Sequence, residues 1–147
     1  MLMATIANVA CTNAQTAVAA VPAGWVQDCP QSAFCFLRPA TLAVQPGQVI
    51  DSLAAVYVGG GVTLRFDLGL SGTSVAHLIN PVETAMTINQ RPARMLVTEH
   101  EIVLIVPKVH ERGRFVTQFY MSLEFKGMAS REMAMKVFQS IEFKPPR

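Results

Sequence analysis

Three histidines, three cysteines and ten carboxylates are the raw material for any chemistry this chain performs. Histidine and carboxylate side chains within reach of one another carry protons or hold a metal ion. His100 lies between Glu99 and Glu101, and His110 precedes Glu111. Neighbours on an extended chain point to opposite sides, so a site here requires paired strands to bring His100 and His110 to one end of a sheet. Asp51 completes this weak alternative polar site. Asp51 also pairs with Asp67 as diagonal neighbours across a hairpin, an arrangement suited to a cation or to acid–base work, although Arg65 stands ready to neutralise Asp67. His77 falls in a long loop and reads as a solvated surface histidine. There is no Gly-x-Ser-x-Gly elbow and no Gly-x-x-x-x-Gly-Lys phosphate loop. Gly59-Gly60-Gly61 separates two strands with no helix after it and reads as a turn. The eight methionines are core filling rather than a metal box. The expectation is therefore no catalytic set, no metal and no cofactor.

The cysteines carry information about compartment. Cys29 and Cys35 bracket a short loop that Pro30 bends, and in an exported protein their disulfide is the economical reading; the alternative is two reduced, buried thiols. Cys11 follows Val9-Ala10, which loosely resembles the end of a lipoprotein leader, with Asn8 where leucine is usual. Lipidation there competes with cleavage after Ala17-Val18-Ala19, a small-residue pattern of the kind signal peptidase reads. Leu2 to Ala10 supplies the apolar region, without the customary basic residue ahead of it. Residues 1–23 are thus expected to be a leader or a flexible N-terminal segment, and residues 24–147 a single α+β domain. No run of eighteen apolar residues exists, so no transmembrane segment is expected.

The elements that must position these residues read mainly as strands. Ala33 to Leu37 is a short apolar run. Gln48 to Val58 and Val62 to Leu70 flank the glycines and form a hairpin in which facing residue numbers sum to 120. Val58, Val56 and Ala54 then meet Val62, Leu64 and Phe66 on a buried face, and Tyr57 meets Thr63 on the polar one. Ser74 to Ile79 is one helical turn; Met86 to Ile88, Arg94 to Thr98 and Ile102 to Val106 are strands, the last apolar on both faces as a central strand is. Pro107 to Arg114 reads as a polar loop. Phe115 to Phe125 alternates strictly between apolar and more polar positions. Ser130 caps a helix whose stripe is Met133, Ala134, Val137, Phe138 and Ile141, and Ser140 to Phe143 returns as a strand. The expected fold is an antiparallel sheet of about six strands with a C-terminal helix packed on one face.

Two stretches carry a resemblance. Gln48 to Leu70, with Ile-Asp-Ser and Leu-Arg-Phe-Asp-Leu-Gly, resembles small secreted bacterial proteins of unknown function. Met133 to Phe143, with Lys-Val-Phe-Gln-Ser-Ile-Glu-Phe, is similar to the last helix and strand of PsbP-like domains. That resemblance implies a central antiparallel sheet with helices on its faces, in a family with many exported or envelope members that lack known catalysis.

Composition sets the outer limits. Of 147 residues, 51% are hydrophobic and 15% charged, the balance of a chain with a buried core rather than a disordered one. The net charge of +2 is spread along the chain, whereas nucleic-acid binding calls for a basic stripe, so no nucleic-acid partner is expected. The reading is a periplasmic or secreted domain, with a lipid anchor as an option, that binds another envelope protein without catalysis. Its candidate surface is the polar sheet face carrying Tyr57, Arg65, Asp67 and Tyr120. The alternatives are a metal-dependent hydrolase and a small-ligand carrier.

Overall fold

A computed structural model describes residues 20–47 and 52–146. Cys11, Asp51, the proposed leader up to Ala19 and residues 48–50 of the hairpin lie outside the described residues. Among the described residues the fold is mostly antiparallel sheet with one α-helix. In chain order the elements are β1 Trp25–Asp28, β2 Phe34–Pro39, β3 Ala43–Gln45, β4 Leu53–Gly59, β5 Val62–Gly69, β6 Val82–Ile88, β7 Arg91–Val97, β8 Glu101–Arg112, β9 Phe115–Phe125, α1 Arg131–Gln139 and β10 Glu142–Phe143.

The strands form two sheets rather than one of six strands: a seven-stranded sheet in the order β3-β4-β5-β9-β8-β7-β6 and a three-stranded sheet β1-β2-β10. The small sheet and α1 cover one face of the large sheet. Phe34 and Phe36 of β2, both fully buried, reach Phe66 and Phe119 of the large sheet and Phe143 of β10, with the Phe34–Phe66 ring centroids 4.9 Å apart and edge-on. Each such ring contributes roughly 1.5–3 kcal/mol by leaving water. The disulfide Cys29–Cys35 closes the turn between β1 and β2.

The helix forms where its cap and stripe require. Ser130 Oγ accepts the Met133 N–H at 3.2 Å, and Glu132 sits in the first turn, where a negative charge complements the helix dipole. Ala134, Val137 and Phe138 face the core. Lys136 Nζ lies 4.4 Å from the Trp25 ring centroid, bringing β1 against the helix.

Three expectations are corrected. Residues 107–112 belong to β8 rather than to a loop. Pro107, which has no N–H to give a ladder, falls in a bulge between Val106 and His110, after which the pairing with β9 resumes. Ser74 to Ile79 makes a turn closed by Leu78 N–H to Val75 O rather than a helical turn. Its apolar residues Val75 and Leu78 cover Leu96, Val103 and Ile105 on the outer face of the large sheet. That cover explains why β8 is apolar on both faces. Finally, β6 starts directly after Pro81 and is seven residues long, rather than the three residues of Met86 to Ile88.

Candidate binding groove on the outer sheet face

The β4–β5 hairpin sets which side chains reach each face. Facing residue numbers sum to 121, not 120: Tyr57 pairs with Leu64, Ala55 with Phe66 and Leu53 with Leu68. The loop is Gly60-Gly61, both at positive φ (59° and 75°), the conformation a two-residue hairpin turn needs. Gly59 belongs to β4, and a Cβ there would stand 1.9 Å from the Thr41 carbonyl oxygen. This glycine thus serves close backbone approach rather than the turn. One residue of register moves every side chain of a strand to the other face.

Tyr57 is consequently buried at 3% exposure and leaves the proposed surface. Its hydroxyl donates to Asp28 Oδ2 at 2.9 Å, and Arg38 donates its Nε–H to the same oxygen at 3.2 Å. The Arg38 guanidinium lies 5.0 Å from the Tyr57 ring centroid. Burial, then the bond to Asp28, pushes the phenol well above its ordinary range. This cluster ties β1 and β2 to β4 and is structural.

The other three residues of that proposed surface do share a face. Arg65 and Asp67 of β5 and Tyr120 of β9 point outward, with Asp67 directly opposite Tyr120. They border a groove of about 830 Å³ between Val44–Gly47 on one side and Thr73 on the other, floored by Ala54 and Val56 of β4. A smaller notch of about 80 Å³, lined by Ser71, Gly72, Arg94 and Gln118, adjoins it at Asp67, Thr73 and Tyr120. Arg65 leans on Glu124 at 3.0 Å, an exposed pair of little energetic weight. Burial raises the Tyr120 phenol above its usual value. Among the described residues, Asp67 Oδ1 and Ser122 Oγ on this face are buried without a hydrogen-bond partner. Ser122 neighbours Tyr120 without meeting hydrogen-bond geometry. A buried acceptor left unpaired costs about 1–3 kcal/mol.

The histidines do not assemble a site. His100 and His110 stand at opposite ends of β8, separated by roughly 30 Å of strand. His100 Nδ1–H donates to Gly127 O at 2.7 Å, and its Nε2 is 3.8 Å from Glu99. His77 Nε2 pairs with Glu101 Oε2 at 2.9 Å on the exposed surface. Burial and the Arg91 guanidinium hold the His110 imidazole below the ordinary histidine range. Among the described residues, no three His, Cys, Asp or Glu side chains converge as metal ligands, and no helix is long and apolar enough to cross a membrane.

Sequence reasoning found Arg65, Asp67 and Tyr120 but missed the groove beside them. Its signal was present in the mixed outer face, where apolar Ala54 and Val56 stand opposite polar Asp67 and Arg65. No family model, curated protein or solved structure matches the chain.

Proposed function

We propose that the chain is a non-catalytic exported domain whose outer-face groove binds a segment of another envelope protein. One observation carries this reading: an apolar groove whose border holds a buried acceptor, Asp67 Oδ1, without a partner among the described residues, on the residue paired with Tyr120. Binding sites combine apolar walls with a few placed polar groups that fix orientation. Asp67 accepts a donor from the partner, such as a Lys side chain or a backbone amide, and the apolar floor of Ala54 and Val56 takes an adjoining aliphatic or aromatic side chain. The Cys29–Cys35 disulfide supports export, since such bonds persist in oxidising compartments. The helix–strand ending α1–β10 fits the PsbP-like plan, which is part of this proposal.

A second reading, a small-ligand carrier, is favoured by the groove volume of about 830 Å³, which falls within the range of small-molecule sites. Native mass spectrometry of the protein recovered from its host separates the two. The protein-binding reading requires an added polypeptide mass that Asp67→Asn and Tyr120→Ala remove. An added mass of a few hundred daltons that the same variants remove supports the carrier instead. Added masses indifferent to both substitutions refute the groove as the site.

A further inference from the structure

We propose that β6 is a self-association edge, joining a second copy of this chain through antiparallel β6–β6 pairing into one continuous sheet. The two edges of the large sheet are treated differently. β3 is only three residues long, and a very short edge strand is a blunted edge. β6 is seven residues long, has no Pro or Lys within it and carries no bulge against β7. Its backbone bonds among the described residues all run to β7, which leaves alternate N–H and C=O groups pointing outward. Such a row is a template for another strand.

The residue pattern favours a second copy as that strand. Pairing about a two-fold axis at Ala85 sets Val82 against Ile88 of the partner copy, Thr84 against Met86 and Glu83 against Thr87. Val82, Thr84, Met86 and Ile88 share the side of β6 that lies toward the core, where Met86 packs and Ile88 is buried. In this register the two copies extend one apolar strip, whereas a one-residue shift sets core faces on opposite sides. Val82, 65% exposed at the start of the edge, gains cover. The strand's one charge, Glu83, is already met by Arg94 of its own chain at 3.4 Å, and in this register the two Glu83 side chains are kept apart. No charge on the edge therefore asks for a foreign partner. The groove lies toward β3 and β5, so its fate and that of β6 are independent.

The test is sedimentation of the full chain: analytical ultracentrifugation over a range of concentrations, with Ala85→Lys and Ala85→Glu variants. Ala85 is exposed, so both substitutions are expected to leave the fold intact, which circular dichroism checks. The expected result is a concentration-dependent dimer, weakened at least about tenfold by either variant alone, because like charges then meet at the axis, and restored when the two variants are mixed. Hydrogen exchange supplies a measurement on the unaltered chain: β6 amides gain protection as concentration rises. A chain that stays monomeric, a dimer indifferent to both variants, or association only with a foreign protein would overturn the proposal.

Discussion

Asp67 and Tyr120 stand directly opposite each other on β5 and β9, at the border of an apolar groove, and Asp67 Oδ1 is buried with no partner among the described residues. A fold holds an unpaired carboxylate oxygen at a cost that a bound donor removes. Asp67→Asn is therefore expected to leave thermal stability unchanged or raised while weakening partner binding by about tenfold or more, near 1.4 kcal/mol. Paired thermal melts and binding isotherms check this; a variant that melts lower and binds normally would make Asp67 a structural residue.

Tyr57 predicts the opposite pattern. Its hydroxyl serves Asp28 inside the clamp between the two sheets. Tyr57→Phe is expected to cost about 1.5–3 kcal/mol of stability, the range for a hydrogen bond to a charged group, and to leave groove binding untouched. Denaturant unfolding beside the same binding assay reads both.

The three glycines of the β4–β5 turn are not equivalent. At Gly60 a Cβ meets only ordinary contacts, so Gly60→Ala bears the left-handed conformation alone, about 1–2 kcal/mol, and Gly60→Asn costs less. At Gly59 an added Cβ strikes the Thr41 backbone, which cannot swing aside as a side chain does. Gly59→Ala is expected to be the more damaging substitution in equilibrium unfolding.

Much of the fold was legible where one physical signal dominated. The strict alternation of Phe115 to Phe125 marks β9 at both ends: Phe119, Met121, Leu123 and Phe125 of one face pack on the core, while Phe115 at the start of the strand stays exposed. Ser130 with Glu132 marks the start of α1 for the same local reason. The hairpin register was not legible because Tyr57 looks polar by type, yet its ring is apolar and its hydroxyl finds Asp28 from a distant strand. Pro107 reads as a strand terminator, but β8 accommodates it in a bulge against β9. The cover that Val75 and Leu78 give to Val103 is a tertiary contact with no local pattern. The same holds for the groove: Arg65, Asp67 and Tyr120 were found by residue type, while the apolar floor that gives them a use depends on the register.

His110 gives the stability a pH dependence of fixed sign. Its folded-state imidazole takes up a proton less readily than the unfolded one because of burial and Arg91. As pH falls through the unfolded value of about 6.5, the unfolded chain binds the proton first, so this contribution to stability is lost on acidification and levels off once the folded imidazole also protonates. His110→Gln is expected to flatten that part of the stability profile, measured by denaturant unfolding across the mildly acidic range.

The central claim, that the outer-face groove receives an envelope partner, is tested most directly by photo-crosslinking in the living host. A photoreactive residue replaces Thr73 at the groove rim in one strain and Glu132 on the exposed side of α1 in another. The account predicts one defined protein adduct from position 73, lost on Asp67→Asn and absent from position 132. Adducts common to both positions, or an adduct from position 73 that survives Asp67→Asn and Tyr120→Ala, would contradict it.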